Sequence, residues 1–292
     1  MISLCISLPP GIPVDALFSP FVGAGMNHFP HDDVEKINSI ESWQQRIAKN
    51  NPDISQPLRI GSFWQKVIFN LYLNMLDCPC WGWSLDGDTR FLDFWGEFDP
   101  SIRFVLFTTP PVFLLSYLLE RVPATYGDNT LSEWINIWTN YHQKSLTFHL
   151  CHPEQSVLLD LEAFLNTPGE TIGYLTQRWR LALQKNDAMD AELWRPSALT
   201  HFFIAQTLPN NPEINSIVRE IDDCRLILEK KNNTSKEVDD ILCVINDYIF
   251  LYTCAKQSFE HQKKIDILTS ERDHLVYAKE DTLKENELLL QQ

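Results

Sequence analysis

Three short runs of apolar and β-branched residues, two of them closed by a proline turn and all followed by a helical pattern, constrain this chain most. Residues 2–8, Ile2-Ser3-Leu4-Cys5-Ile6-Ser7-Leu8, end at Pro9-Pro10-Gly11, where the prolines stop the strand and force a loop. Residues 101–107 end at Thr108-Thr109-Pro110-Pro111 and lead into an apolar helix over 112–119. Residues 155–160 lead directly into a short helix over 161–165. Strand, turn and helix in repeated order call for parallel pairing, so the expected fold is α/β: a parallel sheet of about four or five strands with helices on both faces.

Between these runs, Phe63, Val67, Leu71 and Met75 recur at helical spacing and predict one buried helix face, stopped by Asp77-Cys78-Pro79. Trp134, Ile137, Trp138 and Tyr141 lie on one side of a helix over 131–146. From 212 the pattern changes. Ile214, Ile217, Ile221, Cys224 and Leu228 form a stripe after Pro212, a helix start, and one helix runs to about Lys230. Thr234 with Glu237 reads as a capping box opening a second helix, whose buried face is Val238, Ile241, Ile245, Tyr248, Tyr252 and Phe259. The two helices form a hairpin. Farther on, Leu268, Leu275, Thr282 and Leu289 repeat every seven residues, but the matching seam holds Ile265, Arg272, Lys279 and Asn286, half a heptad pattern and a weak coiled coil. The chain stops at Gln291-Gln292 without a cap, as if cut inside a helix. The expected division is 1–205 for the α/β domain, 206–258 for the hairpin and 259–292 for a truncated coiled-coil tail.

With 44% hydrophobic and 12% aromatic residues the chain can bury a full core. Its 24 basic against 39 acidic side chains give a net charge of −15, which repels nucleic-acid phosphates and anionic membranes. No basic leader and no 18-residue uncharged apolar stretch is present, so neither secretion nor a membrane span is expected. Seven scattered cysteines, an odd number, fit reduced thiols and a cytoplasmic location; Cys78-Pro79-Cys80 is spaced too tightly for an easy disulfide. His28-Phe29-Pro30-His31-Asp32-Asp33 reads as a capped polar loop rather than a metal site, because no distant third ligand is identifiable. His149 and His152 beside Cys151 are too weak a pattern for a thiol nucleophile and its base.

The order of motifs in residues 1–205 resembles the sulfotransferase family that uses 3′-phosphoadenosine 5′-phosphosulfate. In that family a first strand enters a phosphate loop of the type Arg-Ser-Gly-Thr-Ser; here residues 2–8 enter Pro10-Gly11-Ile12-Pro13 and then Asp15-Ala16-Leu17-Phe18, and only Gly11 matches. A later family strand ends in Arg-Asp/Asn-Pro with a serine eight residues after the arginine. Here Thr108-Thr109-Pro110 is followed by Ser116, so proline and serine match while threonine replaces arginine. Trp81-Gly82-Trp83, Arg90 and Trp95 resemble the family's tryptophan-rich approach to a Lys-Asp-Pro-Arg segment, but 84–89 holds no lysine. Leu131 to Tyr141 resembles its Leu-x-x-Trp…Trp-x-x-Tyr helix, and 157–165 with Pro168 its strand and Glu-Asp-Leu turn.

The resemblance implies a donor-binding crevice in which Gly11, Thr108 and Ser116 hold the vestigial cofactor positions, with no catalytic residue retained. Each lost charge-assisted contact removes about 1.5–3 kcal/mol, and Pro13 removes an amide from the loop, so cofactor binding is expected to be lost. The leading expectation is a non-catalytic sulfotransferase-like scaffold, a binding or assembly module with a protein partner or self-association through 212–292. The pairing of such a scaffold with a coiled coil points to a bacterial, glycan-related protein. The alternatives are an active sulfotransferase-like enzyme using Arg59, Lys66, Arg90 or Arg103 as replacement cations, and a purely structural helical protein. A cleft lined by arginine favours the active enzyme, a closed apolar or acidic one the scaffold.

Overall fold

The computed structural model describes residues 2–28, 39–54, 56–121, 130–185, 197–208, 212–226, 248, 261–265, 268, 269 and 272. It divides into two compact units, Met1–Pro196 with Thr200–Asn232, and Ser197–Leu199 with Asn233–Gln292. In the order of the chain the elements are β1 (Ile2–Leu8), α1 (Val14–Gly23), α2 (Ile40–Asn50), α3 (Ser62–Leu73), β2 (Cys80–Asp86), α4 (Arg90–Phe98) and β3 (Arg103–Thr108). There follow α5 (Pro111–Arg121), α6 (Thr130–Cys151), β4 (Ser156–Asp160), α7 (Leu161–Asn166), α8 (Pro168–Trp179), α9 (Ala198–Thr207) and α10 (Pro212–Cys224).

The first unit is built on a four-stranded, wholly parallel sheet in the order β2-β1-β3-β4. Alternation along each strand feeds two cores, one on each face. Leu4, Ile6 and Leu8 of β1, Val105 and Phe107 of β3, and Val157 and Leu159 of β4 join α1, α5, α7, α8 and α10. Cys5, Phe104, Leu106 and Leu158 point the other way, into a core rich in tryptophan: Trp43, Trp81, Trp83 and Trp95 are all at most 1% exposed. On that face β1 also carries Ser3 and Ser7, each buried and each within hydrogen-bond distance of a tyrosine hydroxyl, Tyr72 at 3.1 Å and Tyr141 at 3.2 Å. Tyr72 in turn donates to Asp99 Oδ2 at 2.6 Å, and burial together with that bond pushes its hydroxyl up to about 12.

Each edge strand makes hydrogen bonds on its outer side, which satisfies part of the edge. Along β2, Asn27 exchanges backbone bonds with Cys80 and Gly82, and the Glu41 carboxylate accepts the Ser84 N–H at 3.3 Å. Gln44, with its amide turned to satisfy its neighbours, donates to Ser84 O at 2.9 Å and accepts from Trp95 Nε1 and Trp83 Nε1. Along β4, Leu226 N donates to Leu158 O at 3.0 Å.

Three sequence expectations need correction. The Trp81-Gly82-Trp83 segment, for which no strand was expected, is the core of β2, and glycine is required there because a Cβ at 82 would stand 2.7 Å from Leu4 O. The helix after Pro111 extends to Arg121, and α6 reaches Cys151, since neither apolar run contains a breaker. Helix α3 forms where expected, and Val67, Leu71 and Met75 of the expected stripe pack against the second core, but Ile68 and Tyr72 are buried beside them and Phe63 is 66% exposed. In α10 the expected stripe Ile214, Ile217 and Ile221 is buried in the first core. The second hairpin helix, apart from Tyr248, and most of the heptad seam lie outside the described residues. Of that seam, Ile265, Leu268 and Arg272 are described; all three are helical and exposed. No helix among the described residues is long and apolar enough to cross a membrane.

Candidate functional site

The chain leaves β1 toward β2 on one side and returns to β3 on the other, so the topological switch point lies between β1 and β3. In open α/β sheets the ligand crevice lies outside the carboxyl ends of the strands at such a point. Here those ends carry the loop 9–14 and the turn 108–110, brought side by side by the parallel register Ser7 to Leu106. Gly11, Thr108 and Ser116 all belong to the elements around this crevice.

Helix α6 fills it. Trp138, Tyr141 and His142, spaced to share one helix face, are each at most 1% exposed. Trp138 Nε1 donates to Thr109 O at 2.9 Å, and the Tyr141 hydroxyl donates to Phe107 O at 3.0 Å. Thr109 N donates to His142 Nε2 at 3.0 Å, and His142 Nδ1 stands 2.8 Å from Trp138 O. Because Nε2 accepts, the proton sits on Nδ1 and the ring is a neutral tautomer. Burial holds its pKa down to about 3, against the opposing bond to the Trp138 carbonyl. The backbone groups that end β3 are therefore spent on α6.

Of the three positions singled out in the sequence, Thr108 and Ser116 face inward as well, while Gly11 is exposed. Thr108 is 2% exposed, and its hydroxyl donates to Leu159 O at 3.1 Å. Ser116 is fully buried, and its hydroxyl has no hydrogen-bond partner among the described residues. Gly11 adopts φ 83, a left-handed conformation that suits glycine, and a Cβ there would stand 2.6 Å from Leu118 Cδ2, so α5 lies tight against the loop. Pro9, Pro10 and Pro13 have no N–H, and the Ile12 amide is turned back onto Pro9 O at 3.3 Å. Few loop amides remain to meet a phosphate.

A cavity beside the start of α1 is small and acidic. About 130 Å³ is lined by Val14 at the start of α1 and by Glu41, Gln44, Asp86 and Asp88, with no lysine or arginine among its lining residues. Asp86 is exposed at its tip yet backed by protein, and that desolvation raises its pKa. Glu41 also pairs with His28 Nε2 at 3.1 Å.

A larger cleft of about 660 Å³ opens between the 54–60 loop, α4 and α6, with Leu58, Phe94, Arg90, Asp93, Glu97 and Lys144 among its lining residues. Arg90 is not free there: its guanidinium binds both Asp88 oxygens and the carbonyls of Asn51 and Asp53, and so pins the loop. Of the other replacement cations, Arg103 begins β3, at the opposite end of the strand from Thr108, and binds Pro100 O and Ile102 O. Neither Arg59 nor Lys66 lines this cleft. The four are not gathered into one site.

Of the remaining sequence candidates, His28 is described, while Phe29-Pro30-His31-Asp32-Asp33 lies outside the described residues. His149 Nδ1 lies 2.8 Å from Ser156 Oγ and Cys151 is an exposed free thiol. Cys78 and Cys80 are free as well. No group of three metal-ligating side chains occurs among the described residues. The residue that sequence reasoning missed is His142; its signal was the spacing Trp138, Tyr141, His142 on a helix following the turn of β3.

No protein-family model and no curated protein matches the chain. Solved structures with a similar chain path include the sulfotransferase domain of the curacin biosynthetic pathway, at 13% identity and TM-score 0.43 over 76% of this chain and 97% of that one. The sulfotransferase domain of the Synechococcus PCC 7002 olefin synthase aligns at 11% identity and TM-score 0.43 over 85% and 94%. A sulfotransferase from Alicyclobacillus acidocaldarius aligns at 10% identity and TM-score 0.44 over 76% and 96%.

Proposed function

We propose that this chain is a non-catalytic scaffold of the sulfotransferase type, working in the cytoplasm as a binding or assembly module, within a larger glycan-related protein, and that it does not take up the family's nucleotide donor. The observation that carries the reading is the crevice between β1 and β3, which is occupied by Trp138, Tyr141 and His142 with their polar atoms bonded to the strand ends. A bisphosphate nucleotide would have to displace a buried indole and imidazole and then sit beside the carboxylates of Asp86 and Glu41. Both steps oppose binding, the first through lost packing and the second through charge. In α10 the apolar stripe is spent on the unit's own core, so the partner-binding part of 212–292 is sought beyond Leu226.

The test is calorimetric titration of the full chain with the bisphosphate nucleotide product of the family's donor, at neutral pH and low salt. No heat of binding is expected up to about millimolar nucleotide. A micromolar dissociation constant that weakens when Gly11 or Ser116 is substituted overturns the reading and restores the transferase.

A further inference from the structure

Helix α3 has a second apolar face, turned outward. Phe69 is 53% exposed and Leu73 42%, and Leu76, in the turn that follows, is 40% exposed. Lys66, Phe69 and Leu73 keep the spacing that lines one stripe of the helix, flanked by Phe63 at 66%, and Leu76 follows in the turn beyond the helix end. Isolated exposed apolar residues are ordinary, but four along one helix and its terminal turn form a contiguous patch of the kind that marks an interaction surface. Lys66 and Asp77 bracket the stripe, both exposed, and neither has a hydrogen-bond or ion-pair partner among the described residues.

We propose that this face joins two copies of the chain through antiparallel α3–α3 pairing about a two-fold axis. The argument is self-complementarity. An axis near residue 71 sets Phe69 of one copy over Leu73 of the other, and the reverse, and directs Lys66 of each copy toward the turn that carries Asp77 in its neighbour. A two-fold interface requires that residue i meet j while j meets i, and this stripe satisfies that in both its apolar and its charged positions. Parallel pairing instead sets lysine against lysine and aspartate against aspartate. A partner of different sequence has no need of a stripe whose two ends carry opposite charges at matched distances from its centre. The pairing uses neither the crevice nor the sheet edges, so it stands whether or not nucleotide binds.

Sedimentation equilibrium of the full chain over about 1–200 µM tests it, because association by mass action shows as a mass that rises with concentration. The wild type is expected to pass from monomer to dimer. Phe69→Glu, and separately Leu73→Glu, should weaken association by about tenfold or more. Lys66→Glu should weaken it, and the double variant Lys66→Glu with Asp77→Lys should restore it, because the swap leaves every cross-axis pair opposite in sign. All four positions are exposed, and circular dichroism checks that each variant is folded. A wild type that stays monomeric over the whole range overturns the proposal. So does a dimer that is indifferent to Phe69→Glu and to the charge swap, which places self-association on another surface such as 227–292.

Discussion

The carboxyl end of the sheet and the outer face of α3 are built in opposite senses. At the sheet end, where an α/β protein keeps polar groups free for a ligand, the backbone of Phe107 and Thr109 is bound to Trp138, Tyr141 and His142, and almost no surface is left. On α3, where a helix over a finished core normally shows polar residues, Phe63, Phe69 and Leu73 lie in water. The difference teaches that an α/β sheet with a switch point does not by itself supply a binding site: what the following helix puts into the crevice decides.

The largest effect should come from emptying the crevice. Trp138→Ala removes a fully buried indole and leaves Thr109 O without its donor, so a loss of about 3–5 kcal/mol is expected in urea denaturation. A loss under about 1 kcal/mol would show that the crevice collapses or is wet, and the contrast with α3 would fail.

Next in size is the response to acid. His142 is held down to about 3 by burial, while in the unfolded chain its pKa is the ordinary value near 6.5. Above 6.5 both states are neutral and the stabilisation is complete. As pH falls below 6.5 the unfolded chain gains a proton that the fold refuses, so stability declines until about pH 3. Between pH 6.5 and 5, before most carboxylates titrate, the loss should be about 2 kcal/mol. His149, lowered by burial and by Arg178, adds in the same direction. Denaturation midpoints for the wild type and for His142→Gln, whose amide can serve both neighbouring groups, separate the two: the slope should flatten in the variant. An unchanged slope would mean that His142 already reaches water.

The architecture was largely legible in the sequence and the site only in outline. Strands β1, β3 and β4 are unbroken apolar or β-branched runs with proline or acidic stops, and such runs have one reading when helices separate them. Strand β2 was hidden because Cys78-Pro79-Cys80 looks like a stop and Gly82 looks like a turn, whereas it is a place where the backbone of β1 comes within reach of a Cβ. The face of α3 could not be assigned by periodicity, because apolar residues occupy both sides: Phe63 and Phe69 outward, Ile68 and Tyr72 inward. Gly11, Thr108 and Ser116 lie on the elements around the crevice between β1 and β3, yet nothing local to them tells that α6, which begins at Thr130, would fill it. That is a tertiary fact, set by the length of α6 and by where Trp138 falls along it.

A smaller effect separates filling from bonding within the crevice. Tyr141→Phe keeps the ring and removes only the bond to Phe107 O and the contact with Ser7, so the expected cost is about 1–2 kcal/mol, well below that of Trp138→Ala. A cost as large as that of the tryptophan would mean that the hydroxyl, rather than the packing, holds α6 against the sheet. The same urea titration measures both.

The smallest effect is expected on α3, and it is the most telling for the contrast. Phe69→Gln removes a ring as apolar as any in the core, yet Phe69 is 53% exposed, and glutamine is at least as good a helix former as phenylalanine. At about 1 µM protein the change in unfolding free energy should stay within about 0.5 kcal/mol. At a hundredfold higher concentration the outcome should differ: if α3 pairs copies of the chain, the wild type gains stability by mass action while the variant does not, and their midpoints part. Equal midpoints at both concentrations would leave the outer face of α3 as exposed apolar surface without a second copy upon it. A variant already weaker at the low concentration would show that Phe69 supports its own fold after all, and the two regions would then differ in degree rather than in kind.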